Sequence, residues 1–270
     1  MKNSADKYVH GYSGREIKRL ADQAATLSEL LHHDTIYPSG SCVLEAGCGV
    51  GAQTVTLIKN SPQAFFACMD ISMDSLKKAR TSAYETGKKK NVFVQADIFR
   101  LPFPDQSFDH IFICFVLEHL KNPVQALLAL KSKLKRGGSI TVIEGDHGST
   151  YFHPASDDAW KTIQCLIDLQ EKAGGDSLIG RRLFPLLSDS GFLDINVSPR
   201  MVYVDSSKPH FVEGFTKNTF IAMVEGVKSM AIDSGLIDEN TWKKGIEDLY
   251  RTTREDGTFC YTFFKGIGYK

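Results

Sequence analysis

Cys42-Val43-Leu44-Glu45-Ala46-Gly47-Cys48-Gly49-Val50-Gly51-Ala52-Gln53-Thr54 reads as a short buried strand, a glycine-rich turn and the start of a helix. Cys42, Val43 and Leu44 supply the apolar strand, and Gly47, Gly49 and Gly51 let the backbone approach a ligand where a side chain would block it. The helix opens near Gln53 and Thr54, where backbone N–H groups without a partner inside the helix are available to a ligand's polar atoms. Asn60, Ser61 and Pro62 end it.

The pattern repeats downstream. Ala64 to Met69 is an apolar run of the kind a parallel sheet buries on both faces, and it stops at Asp70. Ser72 or Asp74 caps the next helix, which Gly87 closes. Asn91 to Ala96, ended by Asp97, is a third strand, and Phe108 to Phe115 is a fourth. Pro123 starts a helix that Gly137 and Gly138 terminate, and Ser139 to Ile143 is a fifth strand tipped by Glu144 and Asp146. Strands alternating with helices in this way predict an α/β fold built on a doubly wound, mostly parallel sheet.

Upstream, Ser13 and Glu16 form a capping box for a helix running to about His33. Beyond Gly148 the alternation loosens: helices over 155–172 and 181–190, a strand over 194–204, a largely helical stretch over 209–256 and a final aromatic-rich strand over 257–269. The helical stretch between the last two strands is expected to lie near strand ends as a cover.

Lys plus Arg equals Asp plus Glu at 32 each, so no net field draws a polyanion or an anionic bilayer, and a nucleic-acid partner is disfavoured. No two of the six cysteines stand at the close spacing of metal-binding pairs, so they read as reduced core thiols and no metal site is expected. Met1 to Lys7 carries no apolar signal segment, and the longest apolar run, Ile111 to Leu117, is too short to span a bilayer. A cytoplasmic protein is expected.

In open α/β sheets ligands bind beyond the carboxyl ends of the strands, and here those ends carry Glu45, Asp70, Asp97, Glu144 and Asp146. Gly47, Gly49 and Ala52 also fit the dinucleotide fingerprint, with Asp70 as the ribose-binding acid. Glu45 tips the balance, because a carboxylate just before the first glycine repels a pyrophosphate and favours a cation. S-adenosylmethionine carries an ammonium and a sulfonium, with a ribose for Asp70 and an adenine for Asp97.

Val43 to Gly51, Met69-Asp70-Ile71-Ser72, Ala96 to Asp109, Phe115 to Leu120 and Leu134 to Gly138 together resemble the class I S-adenosylmethionine-dependent methyltransferases. The resemblance is to the small-molecule branch that includes the ubiquinone and menaquinone methyltransferases, and it covers residues 40 to 150. It implies a Rossmann-like seven-stranded sheet with an antiparallel last strand and helices on both faces. It also implies an N-terminal helical segment over the cofactor site (1–38) and a methyltransferase domain (39–270). That domain divides into a cofactor-binding core (40–150), an acceptor-side region with a helical insertion (151–256) and the final strand (257–270).

By the same resemblance, Glu45, Gly47, Cys48, Gly49 and Gly51 would line the methionine portion of the cofactor. Asp70 and Ile71 would hold ribose and adenine, Asp97 and Ile98 the adenine edge, and Cys114 would lie beneath. Tyr12 and Arg15 would close the site from the N-terminal segment. The implied reaction is an in-line displacement by an acceptor nucleophile on the sulfonium methyl, releasing S-adenosylhomocysteine, in which the protein aligns the partners and excludes water.

A general base serves only an acceptor that must lose a proton; His147 is the preferred candidate, with Asp146 as partner or substitute, ahead of His119, Glu144 and His153. The aromatic residues after Tyr151 suit a hydrophobic or planar small-molecule acceptor. A nicotinamide-dependent oxidoreductase and a non-catalytic S-adenosylmethionine-binding protein remain as rival readings, and the oligomeric state is open.

Overall fold

The computed structural model describes Gln23, residues 26–87 and residues 90–270. Tyr12, Arg15 and the capping box at Ser13 and Glu16 lie outside the described residues. The end of the first helix, α1, covers 26–32. After it come β1 (Cys42–Ala46), α2 (Ala52–Asn60), β2 (Phe65–Asp70), α3 (Met73–Glu85), β3 (Val92–Gln95) and β4 (Phe108–Cys114). Then follow α4 (Pro123–Lys133), β5 (Leu134–His153), α5 (Asp157–Lys172), α6 (Leu183–Asp189) and β6 (Leu193–Asp205). A continuous helical stretch joins α7 (Pro209–Phe211), a π-helical segment (Val212–Ile221) and α8 (Ala222–Glu225), before α9 (Lys228–Asp233), α10 (Glu239–Arg251) and β7 (Thr258–Tyr269).

The seven strands lie in the order β3-β2-β1-β4-β5-β7-β6. β1 pairs in parallel with both β2 and β4, so the chain winds outward from β1 and then returns to its other side. That reversal puts a crevice at the carboxyl end of β1, where the glycine turn begins. β7 runs against β5: Gly137 N donates to Lys270 O and Lys270 N to Gly138 O, at 3.0 and 2.9 Å.

This pairing corrects the expected end of α4. The helix stops at Lys133, and Gly137 and Gly138 belong to a 20-residue β5 rather than to a helix cap. Between Phe108↔Leu134 and His110↔Ser139 the register shifts, and residues 135–138 bulge out of β4's ladder to meet the end of β7.

The chain forms two compact units. Among the described residues, one contains Ser28–Glu144, Ile179–Arg200 and Phe264–Lys270; the other contains Gly145–Leu178 and Met201–Phe263. In the first, strand alternation divides the sheet's side chains between two layers. Leu44, Ala46, Ala67, Met69, Ile111, Ile113, Ile140 and Val142 pack with Ala126, Leu127 and Leu130 of α4 and Leu183, Leu186 and Leu187 of α6. The opposite face carries Val43, Glu45, Phe66 and Phe112, met by Tyr37 at 6.2 Å from the Phe66 ring and by His32 at 5.7 Å from Phe112. Here Lys265 of β7, with a side chain 1% exposed, donates to Asp34 and Thr35 at 2.6 and 2.7 Å, while Arg200 reaches the other Asp34 oxygen. Burial opposes ionisation of Asp34, but the two cations outweigh it and hold the carboxyl at about 2.

In the second unit α5 and α10 approach closely, since a Cβ on Gly245 would lie 2.4 Å from Asp158 O. Phe215, Phe220, Phe259, Tyr261 and Phe263 pack ring against ring at 4.7 to 6.1 Å. All six cysteines are free. Among the described residues no helix is long and apolar enough to cross a membrane, and no group of His, Cys, Asp and Glu is arranged to hold a metal ion.

Candidate functional site

The first unit contains the described cofactor-site residues of the sequence reading. Leaving β1, the backbone turns left-handed at Gly47, Gly49 and Gly51, with φ of +80, +52 and +85°. The three glycines do different things. A Cβ on Gly47 would lie 2.4 Å from Val116 Cγ2, and one on Gly51 would lie 2.7 Å from the Cα of Ala79 in α3, so both permit close packing. At Gly49 a Cβ would meet nothing within 4 Å, and this is the open side of the turn.

The turn's own donors tie it to β2. Gly47 N and Cys48 N both donate to Met69 O, at 2.7 and 2.9 Å, and Gly49 N donates to Asp70 Oδ2 at 2.8 Å. The other Asp70 oxygen accepts from Ser72 N at 2.8 Å. Burial raises the Asp70 pKa while these N–H donors favour its charged form. Ile71 N–H also bonds this carboxylate, and its remaining acceptor capacity is open to a further hydroxyl.

Around Asp70 stand apolar side chains that the fold leaves in the open. Ile71, Met73 and Phe99 are 42%, 46% and 41% exposed. Ala96 N and the Gln95 side-chain amide donate to the carbonyls of Asp70 and Ile71, which brings the end of β3 to the end of β2. Asp97 accepts from Phe99 N at 2.9 Å and shapes that turn. Ile98 is 9% exposed and packed in the core, so Phe99 is the apolar surface here. Met73 and Phe99 were absent from the sequence reading; the signal was an apolar residue just past each acidic strand tip. A carboxylate held by backbone donors and flanked by exposed apolar surface, beside an open glycine turn, fits a nucleoside cofactor.

Glu45 lies elsewhere than expected. Alternation turns its side chain under α2, where it is 2% exposed and accepts from Thr54 Oγ1 at 2.6 Å. Burial pushes its pKa to about 7, with Asp70 adding to the rise against the Thr54 and Cys68 hydrogen bonds. It is a buried acid beneath the turn. Cys48 and Cys114 are 6% and 8% exposed, and burial drives both thiols well above their ordinary range, so neither is a ready thiolate.

In the second unit, His147 is 4% exposed and its Nδ1 lies 2.8 Å from the Tyr261 hydroxyl. Gly145 makes room for that hydroxyl, since a Cβ there would lie 2.3 Å from it. Asp146 is 2% exposed and accepts from Gly148 N at 3.0 Å. Tyr261 escaped the sequence reading because 114 residues separate it from His147.

A family model described as a methyltransferase domain matches residues 44–142. An uncharacterised methyltransferase of Schizosaccharomyces pombe is 28% identical over 240 residues, 84% of each chain. A ubiquinone/menaquinone biosynthesis C-methyltransferase of a Marinomonas species is 38% identical over 110 residues, 39% of this chain and 43% of that one. The chain therefore matches less than half of that relative's length. A phosphoethanolamine N-methyltransferase of Haemonchus contortus, solved with phosphomonomethylethanolamine and S-adenosylhomocysteine, shares the fold. Its TM-score is 0.55 at 16% identity, covering 91% of this chain and 52% of that one. These matches give the oxidoreductase reading no support. Residues 44–142 hold the end of β1, the glycine turn and Asp70, whose carboxylate accepts from Gly49 N, and this core of the chain is a methyltransferase domain of the class I, S-adenosylmethionine-dependent type.

Proposed function

We propose that the chain transfers the methyl group of S-adenosylmethionine to a small hydrophobic or planar acceptor in the cytoplasm. The observation that carries this is the cradle made by Gly47, Gly49 and the doubly held Asp70 beside exposed Ile71, Met73 and Phe99. The cofactor supplies a methyl group activated by a sulfonium charge. Asp70 holds the ribose hydroxyls, Ile71, Met73 and Phe99 cover the adenine, and the open side of Gly49 admits the methionine end. For an acceptor that must lose a proton, His147 is the base. In the tautomer whose Nδ1–H donates to Tyr261, its basic lone pair sits on Nε2. The name of the Marinomonas relative, in ubiquinone/menaquinone biosynthesis, supports a planar acceptor.

Calorimetry with S-adenosylhomocysteine and with a nicotinamide dinucleotide, followed by a radiolabelled-methyl screen over phenols, quinols and amines, tests this function. Binding of the homocysteine product with transfer to one class is expected. Binding without transfer would leave a non-catalytic binding protein. On an acceptor so found, His147→Ala should lower kcat about a hundredfold or more. Near wild-type turnover across pH would remove His147 from the mechanism.

A further inference from the structure

Glu144, the last residue of β5 in the first unit, is fully buried. Its Oε1 accepts from the backbone N–H groups of Val116 and Leu117 at 3.0 and 2.8 Å, and Glu118 N–H also bonds the carboxyl. These donors converge because Phe115 takes a left-handed φ of +57°, a costly conformation for a large side chain, while its own N–H donates to Ile143 O at 2.9 Å. Val116, held in this way, is the residue whose Cγ2 fills the place of a Gly47 side chain.

The second carboxyl oxygen, Oε2, has no hydrogen-bond partner among the described residues. A buried acid with one oxygen unsatisfied is a poor way to stabilise a core, and an apolar residue would serve stability better. Burial and the neighbouring Glu118 carboxylate push its proton affinity well above the ordinary range, outweighing the N–H donors. What remains for Glu144 is geometric: it gathers three N–H groups and thereby presses Val116 onto the glycine turn.

We infer that Glu144 is a positioning residue for cofactor binding, fixing the segment 115–118 as the wall against which Gly47 is seated. The inference rests on the S-adenosylmethionine reading of that turn. Glu144→Gln keeps the reach of the carbonyl oxygen and removes the ionisable group; Glu144→Asp keeps the ionisable group and shortens the reach by one methylene.

Calorimetry with S-adenosylhomocysteine across pH 6–9 should give E144Q an affinity within about threefold of wild type with the same pH profile. E144D should be weakened about tenfold. Amide hydrogen exchange should show Val116 and Leu117 protected in E144Q and opened in E144D. Equal affinity in both variants, at wild-type level or weakened, or loss in E144Q alone, would overturn the positioning role. Wild-type protein that bound no S-adenosylhomocysteine would instead count against the cofactor reading itself.

Discussion

At Glu45 a strand period of two decides the chemistry. Read along the chain, the acid precedes a glycine turn and looks like a fixed negative charge for a cation; in the fold it points beneath α2 and burial keeps its proton on up to about neutrality. Folded Glu45 holds its proton to about pH 7, whereas an ordinary glutamate releases it near 4.5, so the folded state binds more protons between those values. The stability it contributes is full below pH 4.5 and is lost as pH rises through 7, roughly 3 kcal/mol in all. Glu45→Gln should therefore flatten the decline in thermal midpoint between pH 5 and 7.5, and an unchanged slope would place the proton elsewhere. Asp70 is the simpler case, with both oxygens fixed by backbone N–H groups. Asp70→Ala should weaken S-adenosylhomocysteine binding by about 1–3 kcal/mol in a folded protein, and unchanged affinity would refute the ribose assignment.

Among the elements, those whose signals are local were legible and those set by distant partners were not. Ser72 caps α3 by accepting from Ser75 N, and Pro123 opens α4, both as the sequence indicated. β5 was read as ending at Ile143 because its extension depends on strand pairing that no local pattern announces; Lys270, paired with Gly137 and Gly138, is 133 and 132 residues from them. The π-helical segment Val212–Ile221 was read only as helix, since its wider turn follows from packing rather than propensity. Likewise Val116 as the neighbour of Gly47 is a tertiary fact, although both belong to recognisable motifs. The buried Lys265 on β7 was equally invisible, and it makes the elements depend on one another. Asp34→Asn would leave that amine buried beside Arg200 without a counter-charge, at a cost of about 3 kcal/mol, the lower end for a broken buried pair because water reaches Asp34. Denaturant titration checks this; a midpoint unmoved from wild type would show that Thr35 and water suffice.

For the molecule as a whole, ligand and fold are linked by mass action. S-adenosylhomocysteine at a hundredfold excess over its Kd should add about 2.7 kcal/mol to the stability of wild-type protein. Gly49 offers a way to break that link without touching the fold. Its φ of +52° is one that asparagine tolerates, and nothing lies within 4 Å of the place its Cβ would take. Gly49→Asn should thus keep the ligand-free thermal midpoint within a few degrees and show no shift with S-adenosylhomocysteine; a full shift would mean that the open side of the turn is not where the molecule enters. The empty space over one glycine is in this sense a built-in lock: a single side chain dropped into it yields a folded, cofactor-deaf twin, the control against which any methylation by this protein can be measured in a cell.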